Sequence, residues 1–324
     1  VVATGSDARM RSATPRALHR ICGRTLIAHV VDVVSSLEPR RLAVVVGPDD
    51  DAVAKELDGV DADVRRVAAN VRYDPCVGVL AALNGWTEDE LDIELDPDDD
   101  DVLVVSASVP LLEPETVRAF YRIHRQSDAA ATALVIDPTE DDAEMASAAW
   151  FVRRSLLAPA LRRTDAPEIA AIAEVLRETG HDVAFAAAPA DEVIDVRDRA
   201  DLADAEAVLR ARINRRWMRR GVTMRDPERT FIDATVTLDV DVTLASGVVL
   251  TGSTAIGAGS EIGPGCNLVD TRVGEQCRLE QTSAELATIA DHARVGPFAV
   301  LAPGSEILAA TVTGPFYTAG PDAR

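Results

Sequence analysis

The feature that most constrains the fold is a six-residue repeat in the C-terminal third of the chain. Aliphatic residues recur at every sixth position, and the period resumes after slips near Val273 and Glu285. The repeat positions are Ile232, Leu238, Leu244, Leu250, Ile256, Ile262 and Leu268, followed by Ile289, Val295, Leu301 and Ile307. Three hexapeptides make one triangular coil of a parallel β-helix, in which each coil buries its aliphatic residues against the next. The repeat therefore predicts a parallel β-helix of roughly four coils.

The region before residue 200 alternates short apolar runs with amphipathic segments. The apolar runs are RLAVVVG (41–47), DVRRVAA (63–69), DVLVVSA (101–107) and TALVID (132–137), and the amphipathic segments are 26–37, 77–86 and 113–125. This alternation predicts a mostly parallel sheet with helices on both faces, and the ligands of such sheets bind at the carboxyl ends of the strands. We therefore expect a site at loops 5–10 and 107–109.

Two charged stretches each allow a structural and a functional interpretation. Residues 199–220 predict one long helix, whose last arginines suit the negative end of the helix dipole; an anion site is the alternative. The run DIELDPDDDDV (92–102) predicts a solvated acidic loop. A site for a hard cation is the alternative there, although the glycine and glutamate spacing of a calcium-binding loop is missing.

The overall charge limits the partners. The 324 residues include 54 acidic and 33 basic side chains, a formal net charge of −21. Nucleic acids and anionic membranes favour basic surfaces, so small molecules and proteins are the expected partners. The four cysteines lack the spacing of zinc ligands or of a disulfide framework. No apolar run reaches the roughly 18 residues needed to span a bilayer, so we expect a cytoplasmic protein.

The chain opens on VVATGSDARMRS, an apolar strand that runs into a glycine-containing turn and then into basic residues. Such a turn is typical of phosphate binding in α/β proteins. The longer stretch VATGSDARMRSATPRALHRICG resembles the pattern LAAGxGTRMxSxxPKxLHxxxG of the bifunctional N-acetylglucosamine-1-phosphate uridyltransferase and glucosamine-1-phosphate acetyltransferase (GlmU-like) family. It retains Gly5, Arg9, Met10, Ser12, Pro15, Leu18, His19 and Gly23. A second match is VVSASVPLL (104–112), which is similar to the strand and loop VxxGDxPLL of that family.

The resemblance implies the layout of the whole chain. We expect a Rossmann-like nucleotidyltransferase domain over 1–200, a linker helix over 201–221, and a truncated left-handed parallel β-helix over 222–324. The family's glycine turn binds nucleotide phosphates, so the resemblance assigns ligand binding to Gly5, Arg9 and Arg16. The hexapeptide repeats are similar to those of acyltransferases that form trimers, which implies a homotrimer through the β-helix.

The departures from the family pattern fall on residues with chemical roles. Asp7 and Ala8 replace a glycine and a threonine of the phosphate turn, and Arg16 replaces a lysine. An ionised Asp7 about 5 Å from a phosphate oxygen would oppose binding by about 3 kcal/mol at an effective dielectric of 20. Asp74 and Pro75 replace the glycine and threonine of the uracil-binding segment. These changes predict weakened nucleotide binding.

The metal-binding positions are altered as well. The family binds Mg²⁺ through an aspartate and an asparagine, and the corresponding residues here are Ser108 and Arg197. A neutral hydroxyl and a guanidinium cannot hold a hard cation, so the resemblance predicts no metal and no cofactor. The family's catalytic coils for acetyl transfer lie beyond the matched segment, and His292 in the repeats is interpreted as a solvated side chain. Acetyltransferase activity is therefore predicted to be absent.

Two hypotheses follow from the sequence. The first is a non-catalytic family member that acts as a scaffold or sugar-nucleotide binder and assembles as a homotrimer or with an active paralogue. The second is an active nucleotidyltransferase that makes UDP-N-acetylglucosamine or a related nucleotide sugar. In that case Arg9 would stabilise the transferring phosphoryl group, Arg16 would hold the sugar phosphate, and Mg²⁺ would need other ligands. Candidate ligands are Asp195, Asp198 and the run 96–101.

Overall fold

The structure, a computed structural model, describes residues 1–3, 8–48, 50–67, 75–84, 100–139, 147–164 and 168–320. The chain forms two compact units. The first comprises Val1–His19 and Thr25–Ala205, and the second comprises Arg20–Arg24 and Glu206–Arg324. In the second unit, the Ala234 amide donates to the Cys22 carbonyl (2.9 Å), which attaches the short segment to the rest of the unit.

The elements before residue 200 confirm the alternation predicted from the sequence. The strands are β1 (Arg20–Ile21), β2 (Arg24–Thr25), β3 (Ala43–Val46), β4 (Asp63–Arg66), β5 (Asp101–Val105), β6 (Ala131–Val135), β7 (Ala149–Arg153) and β8 (Val183–Ala187). The helices are α1 (Leu26–Ser35), α2 (Asp51–Glu56), α3 (Pro75–Asn84), α4 (Pro114–Ser127), α5 (Arg154–Arg163) and α6 (Ile172–Glu178). The long helix predicted over 199–220 is α7 (Arg199–Arg219).

Residues 1–3 lie in the middle of the sheet of the first unit. Val2 forms parallel bridges with Val45 of β3 and with Ser106, just after β5. On one side β3 pairs with β4, and on the other the strand order is β5-β7-β6-β8. The strand β7 runs antiparallel to both neighbours. The remaining strands of the sheet run parallel to one another, as predicted. The strand β7 was not among the predicted strands.

The β-helix of the second unit is confirmed. Its strands are β9 (Thr223–Met224), β10 (Phe231–Ile232), β11 (Thr237–Leu238), β12 (Thr243–Leu244), β13 (Val249–Thr251), β14 (Ala255–Ile256), β15 (Glu261–Ile262), β16 (Asn267–Val269), β17 (Arg272–Val273), β18 (Arg278–Leu279), β19 (Ser283–Glu285), β20 (Thr288–Ile289), β21 (Arg294–Val295), β22 (Val300–Leu301), β23 (Glu306–Ile307) and β24 (Thr318–Ala319). They form three parallel sheets, one along each side of the triangular coil.

The described β-helix is longer than the repeat count predicted. Its sheets contain six, five and five strands, which makes five coils and the start of a sixth rather than four. The count was low because five strands carry residues that are not among the counted positions, namely Met224, Val273, Leu279, Ala284 and Ala319. The slips in the repeat are shorter coils, since Ile256 is in register with Val273 and Leu268 with Ala284. None of the helices among the described residues is both long and apolar enough to cross a membrane.

Candidate functional site

The candidate site lies at the carboxyl end of β5, where the sequence predicted it. The strand ends at Val105 and continues into a turn in which Ser108 is buried, with 4% of its surface exposed. The Ser108 hydroxyl donates a hydrogen bond to the Asp195 carboxylate. Because that bond uses the only hydroxyl proton of Ser108, the Ser106 hydroxyl, 2.7 Å from the Ser108 oxygen, is the donor between the two serines. The result is a chain of hydrogen bonds from Ser106 through Ser108 to Asp195.

The backbone holds the Asp195 loop against this turn. The Val196 amide donates to the Ser108 carbonyl at 2.8 Å. Val196 is fully buried, whereas the Asp195 side chain reaches an exposed position at the edge of the sheet. The contact therefore links two loops that are 87 residues apart in the chain.

A buried glutamate anchors the same loop. Glu192 is 6% exposed, and its two carboxylate oxygens accept hydrogen bonds from the Glu113 amide (3.0 Å) and from the Thr116 hydroxyl (2.9 Å). Both donors belong to the N-terminal turn of α4, where unpaired amides and the helix dipole favour an anion. Glu192 therefore fixes the loop that carries Asp195 to the start of α4. The sequence analysis did not identify Glu192, because nothing in its local pattern distinguishes it from a surface glutamate.

Arg197, at the family's asparagine position, is turned away from this contact. Its guanidinium Nε lies 3.1 Å from the Asp201 carboxylate, and its side chain is 54% exposed. The hydrogen bond and the charge of Asp201 raise the pKa of Arg197, and the hydrogen bond from Arg197 lowers that of Asp201. Asp198 accepts from the Ala200 amide (2.8 Å) and the Asp201 amide (3.1 Å), so it caps α7. Arg197 and Asp198 thus both serve the start of that helix.

The predicted phosphate and base positions are only partly described. Gly5, Asp7 and Asp74 lie outside the described residues. Ala8 and Arg9 are exposed in the turn formed by residues 8–10, and Arg16 is half-buried. Pro75 begins α3, a position that suits proline because the first helical amides have no intrahelical partner.

The residues present do not fit a tightly held Mg²⁺. Ser108 offers a neutral oxygen and Arg197 is a cation paired with Asp201, so of these three side chains Asp195 alone brings a negative charge to the contact. Of the acidic run 96–101, only two residues are described: Asp100 pairs with Arg154 and Asp101 with His124, at the opposite, amino end of β5. Within the described ranges, no three histidine, cysteine or carboxylate side chains are grouped to hold a metal ion.

The acetyltransferase prediction concerns the second unit. His292 is exposed on a corner of the β-helix, and its amide donates to the Glu275 carbonyl at 2.8 Å. This backbone bond joins one coil to the next.

Comparison with known proteins agrees with this geometry. A family model, the MobA-like NTP transferase domain, matches residues 1–224. The bifunctional protein GlmU of Streptomyces avermitilis is 35% identical over 350 residues, covering 98% of this chain and 72% of the relative. That of Clavibacter sepedonicus is 33% identical over 348 residues, covering 95% and 68%. A nucleotidyl transferase structure from Methanothermobacter, 21% identical, superposes with a TM-score of 0.52 and covers 64% of this chain and 95% of that one, which supports the fold.

Proposed function

This chain belongs to the GlmU-like family of sugar-nucleotide nucleotidyltransferases, and we propose that it is a non-catalytic member, a cytoplasmic scaffold or sugar-nucleotide binder that works without a metal cofactor. The observation that carries the proposal is the hydrogen bond from Ser108 to Asp195. Ser108 stands at a metal-binding position of the family pattern, and it uses its hydroxyl proton to bind Asp195 instead of offering a carboxylate to a metal ion.

Electrostatics support the loss of nucleotidyl transfer. Transfer to a sugar phosphate brings several negative oxygens together, and protein cations or metal ions must neutralise them. If a phosphate oxygen were bound about 5 Å from the Asp195 carboxylate with no cation between them, the repulsion would be about 3 kcal/mol at an effective dielectric of 20. Arg9 and Arg16 offer positive charge for a bound phosphate, which supports ligand binding without turnover.

The β-helix supports the scaffold role. Near its last described coil, the rings of Phe298 and Phe316 stack with centroids 5.1 Å apart, and both side chains are about half exposed or more. Val300 lies between them in sequence and is 51% exposed. Exposed apolar groups of this kind favour association. We propose assembly through the β-helix, as a homotrimer or with an active paralogue.

One observation favours active nucleotidyl transfer as a second candidate. Asp195 brings a carboxylate into contact with Ser108, at the edge where the family pattern has an aspartate. The carboxylate is thus displaced to a neighbouring loop rather than lost from the region. Release of pyrophosphate distinguishes this candidate from the non-catalytic one.

The test combines ligand binding with turnover on one preparation. Thermal unfolding is measured with and without UTP, UDP-N-acetylglucosamine and Mg²⁺, while pyrophosphate release is followed with N-acetylglucosamine 1-phosphate and UTP. A rise in melting temperature without pyrophosphate release is expected for a binder, because a ligand that binds the native state stabilises it by mass action. If neither the melting temperature changes nor pyrophosphate is released, only the scaffold role remains. Pyrophosphate release by the wild type that is lost in Asp195→Asn refutes the non-catalytic proposal.

A further inference from the structure

Six exposed arginines lie at the end of α7 and in the first coil of the β-helix, within a protein that is otherwise strongly acidic. We call this group the arginine collar. It consists of Arg215, Arg216, Arg219, Arg220, Arg225 and Arg229. All six belong to the second unit.

Local packing joins the end of α7 to the first coil of the β-helix. The Asn214 side-chain amide donates to the carbonyls of Pro227 (2.7 Å) and Thr230 (2.9 Å), which ties the last turns of α7 to the turn that contains Arg229. The guanidinium groups of Arg216 and Arg220 lie 5.9 and 5.5 Å from the ring centroid of Trp217, which is buried. These bonds place the end of α7 beside the turn that contains Arg229.

The collar exceeds what the helix needs. The macrodipole places about half a negative charge at the helix C-terminus, which one arginine would offset. Pairs of like charge four residues apart, such as Arg215 with Arg219 and Arg216 with Arg220, oppose helix formation. In the part of the chain that the structure describes, no member of the collar forms an ion pair. The positive charge is thus available to a partner.

Charge is segregated along the second unit. Residues 206–229 contain eight arginines and three carboxylates, whereas residues 230–320 contain three arginines and ten carboxylates. A long polyanion such as duplex DNA carries a charge about every 1.7 Å, so it would extend beyond the collar towards this acidic region. A short acidic peptide segment can lie on the collar alone, and guanidinium groups bind carboxylates in a bidentate manner.

We infer that the arginine collar is a docking surface for a short acidic segment of a partner protein. The inference is independent of the proposed function, since the collar contains none of the residues of the candidate site. It identifies the partner by its chemistry: consecutive or closely spaced carboxylates that replace the missing ion-pair partners of the collar.

The test is the binding of a fluorescein-labelled peptide of eight glutamates, measured by fluorescence anisotropy at 50 and 300 mM NaCl. We expect Arg215→Glu combined with Arg219→Glu to raise the Kd about tenfold or more at the lower salt concentration, because rim charges act through screened attraction. The matched control is Arg278→Glu with Arg294→Glu, which changes the net charge equally on exposed positions of the same unit. Its Kd should stay within about twofold of the wild-type value.

Three outcomes would overturn the inference. They are no peptide binding at 50 mM NaCl, equal weakening by the control pair, and displacement of the peptide by a 12-base-pair DNA duplex at lower concentrations than by unlabelled peptide. Far-ultraviolet circular dichroism of each variant shows whether it is folded. Arg215→Lys with Arg219→Lys, which keeps the charge, should retain more affinity than the glutamate variant and so separates lost charge from lost structure.

Discussion

Replacing Glu192 tests how the candidate site is held together. Glu192 is buried and accepts one hydrogen bond with each carboxylate oxygen at the start of α4. A hydrogen bond to a charged group contributes about 1.5–3 kcal/mol, and the helix dipole adds about 0.5–1 kcal/mol. Glu192→Ala removes both bonds and leaves the Glu113 amide without its acceptor. We expect it to lower the free energy of unfolding of the first unit by about 3 kcal/mol.

The matched variant is Glu192→Gln, which keeps the size and shape of the side chain. Its carbonyl oxygen can accept from the Glu113 amide, and its amide can donate to the Thr116 hydroxyl, which acts equally well as an acceptor. We expect a loss of about 1 kcal/mol, from the charge alone. Thr116→Val, which removes one donor and keeps the charge of Glu192, should fall between the two variants.

Urea-induced unfolding, followed by the fluorescence of the buried Trp150, measures the stability of the first unit. Hydrogen exchange at the Val196 amide, which donates to Ser108, measures the loop itself. Exchange at Val196 should be faster in Glu192→Ala than in Glu192→Gln. If Glu192→Ala unfolds within about 0.5 kcal/mol of the wild type, or if exchange at Val196 is unchanged, Glu192 does not anchor the loop.

Two further predictions concern the core of the β-helix and acid stability. A Cβ on Gly257 would lie 2.6 Å from the Gly274 carbonyl carbon, so Gly257→Ala should lower the free energy of unfolding of the second unit by about 2 kcal/mol or more. The control is Gly314→Ala, because a Cβ there would meet no atom within 4 Å. Thermal unfolding should show little change in the stability of this control variant. Burial raises the pKa of Asp101, but the hydrogen bond and charge of His124, together with Arg125, outweigh it and hold the pKa below its usual value. Because the folded-state pKa is lowered, this stabilisation is present above about pH 4 and is lost as the pH falls through the folded-state value. Below pH 4, the free energy of unfolding should therefore fall less steeply with decreasing pH in Asp101→Asn than in the wild type. An equal slope in the two proteins would contradict the low pKa of Asp101.

Both folds could be predicted from the amino-acid pattern. A period of six residues predicts a β-helix because each position faces the core at every coil, and the alternation of strands and helices predicts the first unit. Substitutions within a matched family motif can also be identified from the sequence without a structure. Ser108 and Arg197 lack the carboxylate and amide oxygens that the family pattern has at these two positions.

The contacts of these residues, in contrast, emerge from the three-dimensional arrangement. The bond from Ser108 to Asp195 and the anchoring of Glu192 join segments 87 and 79 residues apart, and no local pattern encodes such pairs. The antiparallel course of β7 depends in the same way on which neighbours it meets in the sheet. Local periodicity is set by backbone geometry and solvent exposure, which act over a few residues. Contacts between distant loops depend on how the whole sheet positions its strand ends. This is why the sequence indicated Ser108 and Asp195 separately, but neither the contact between them nor the anchoring by Glu192.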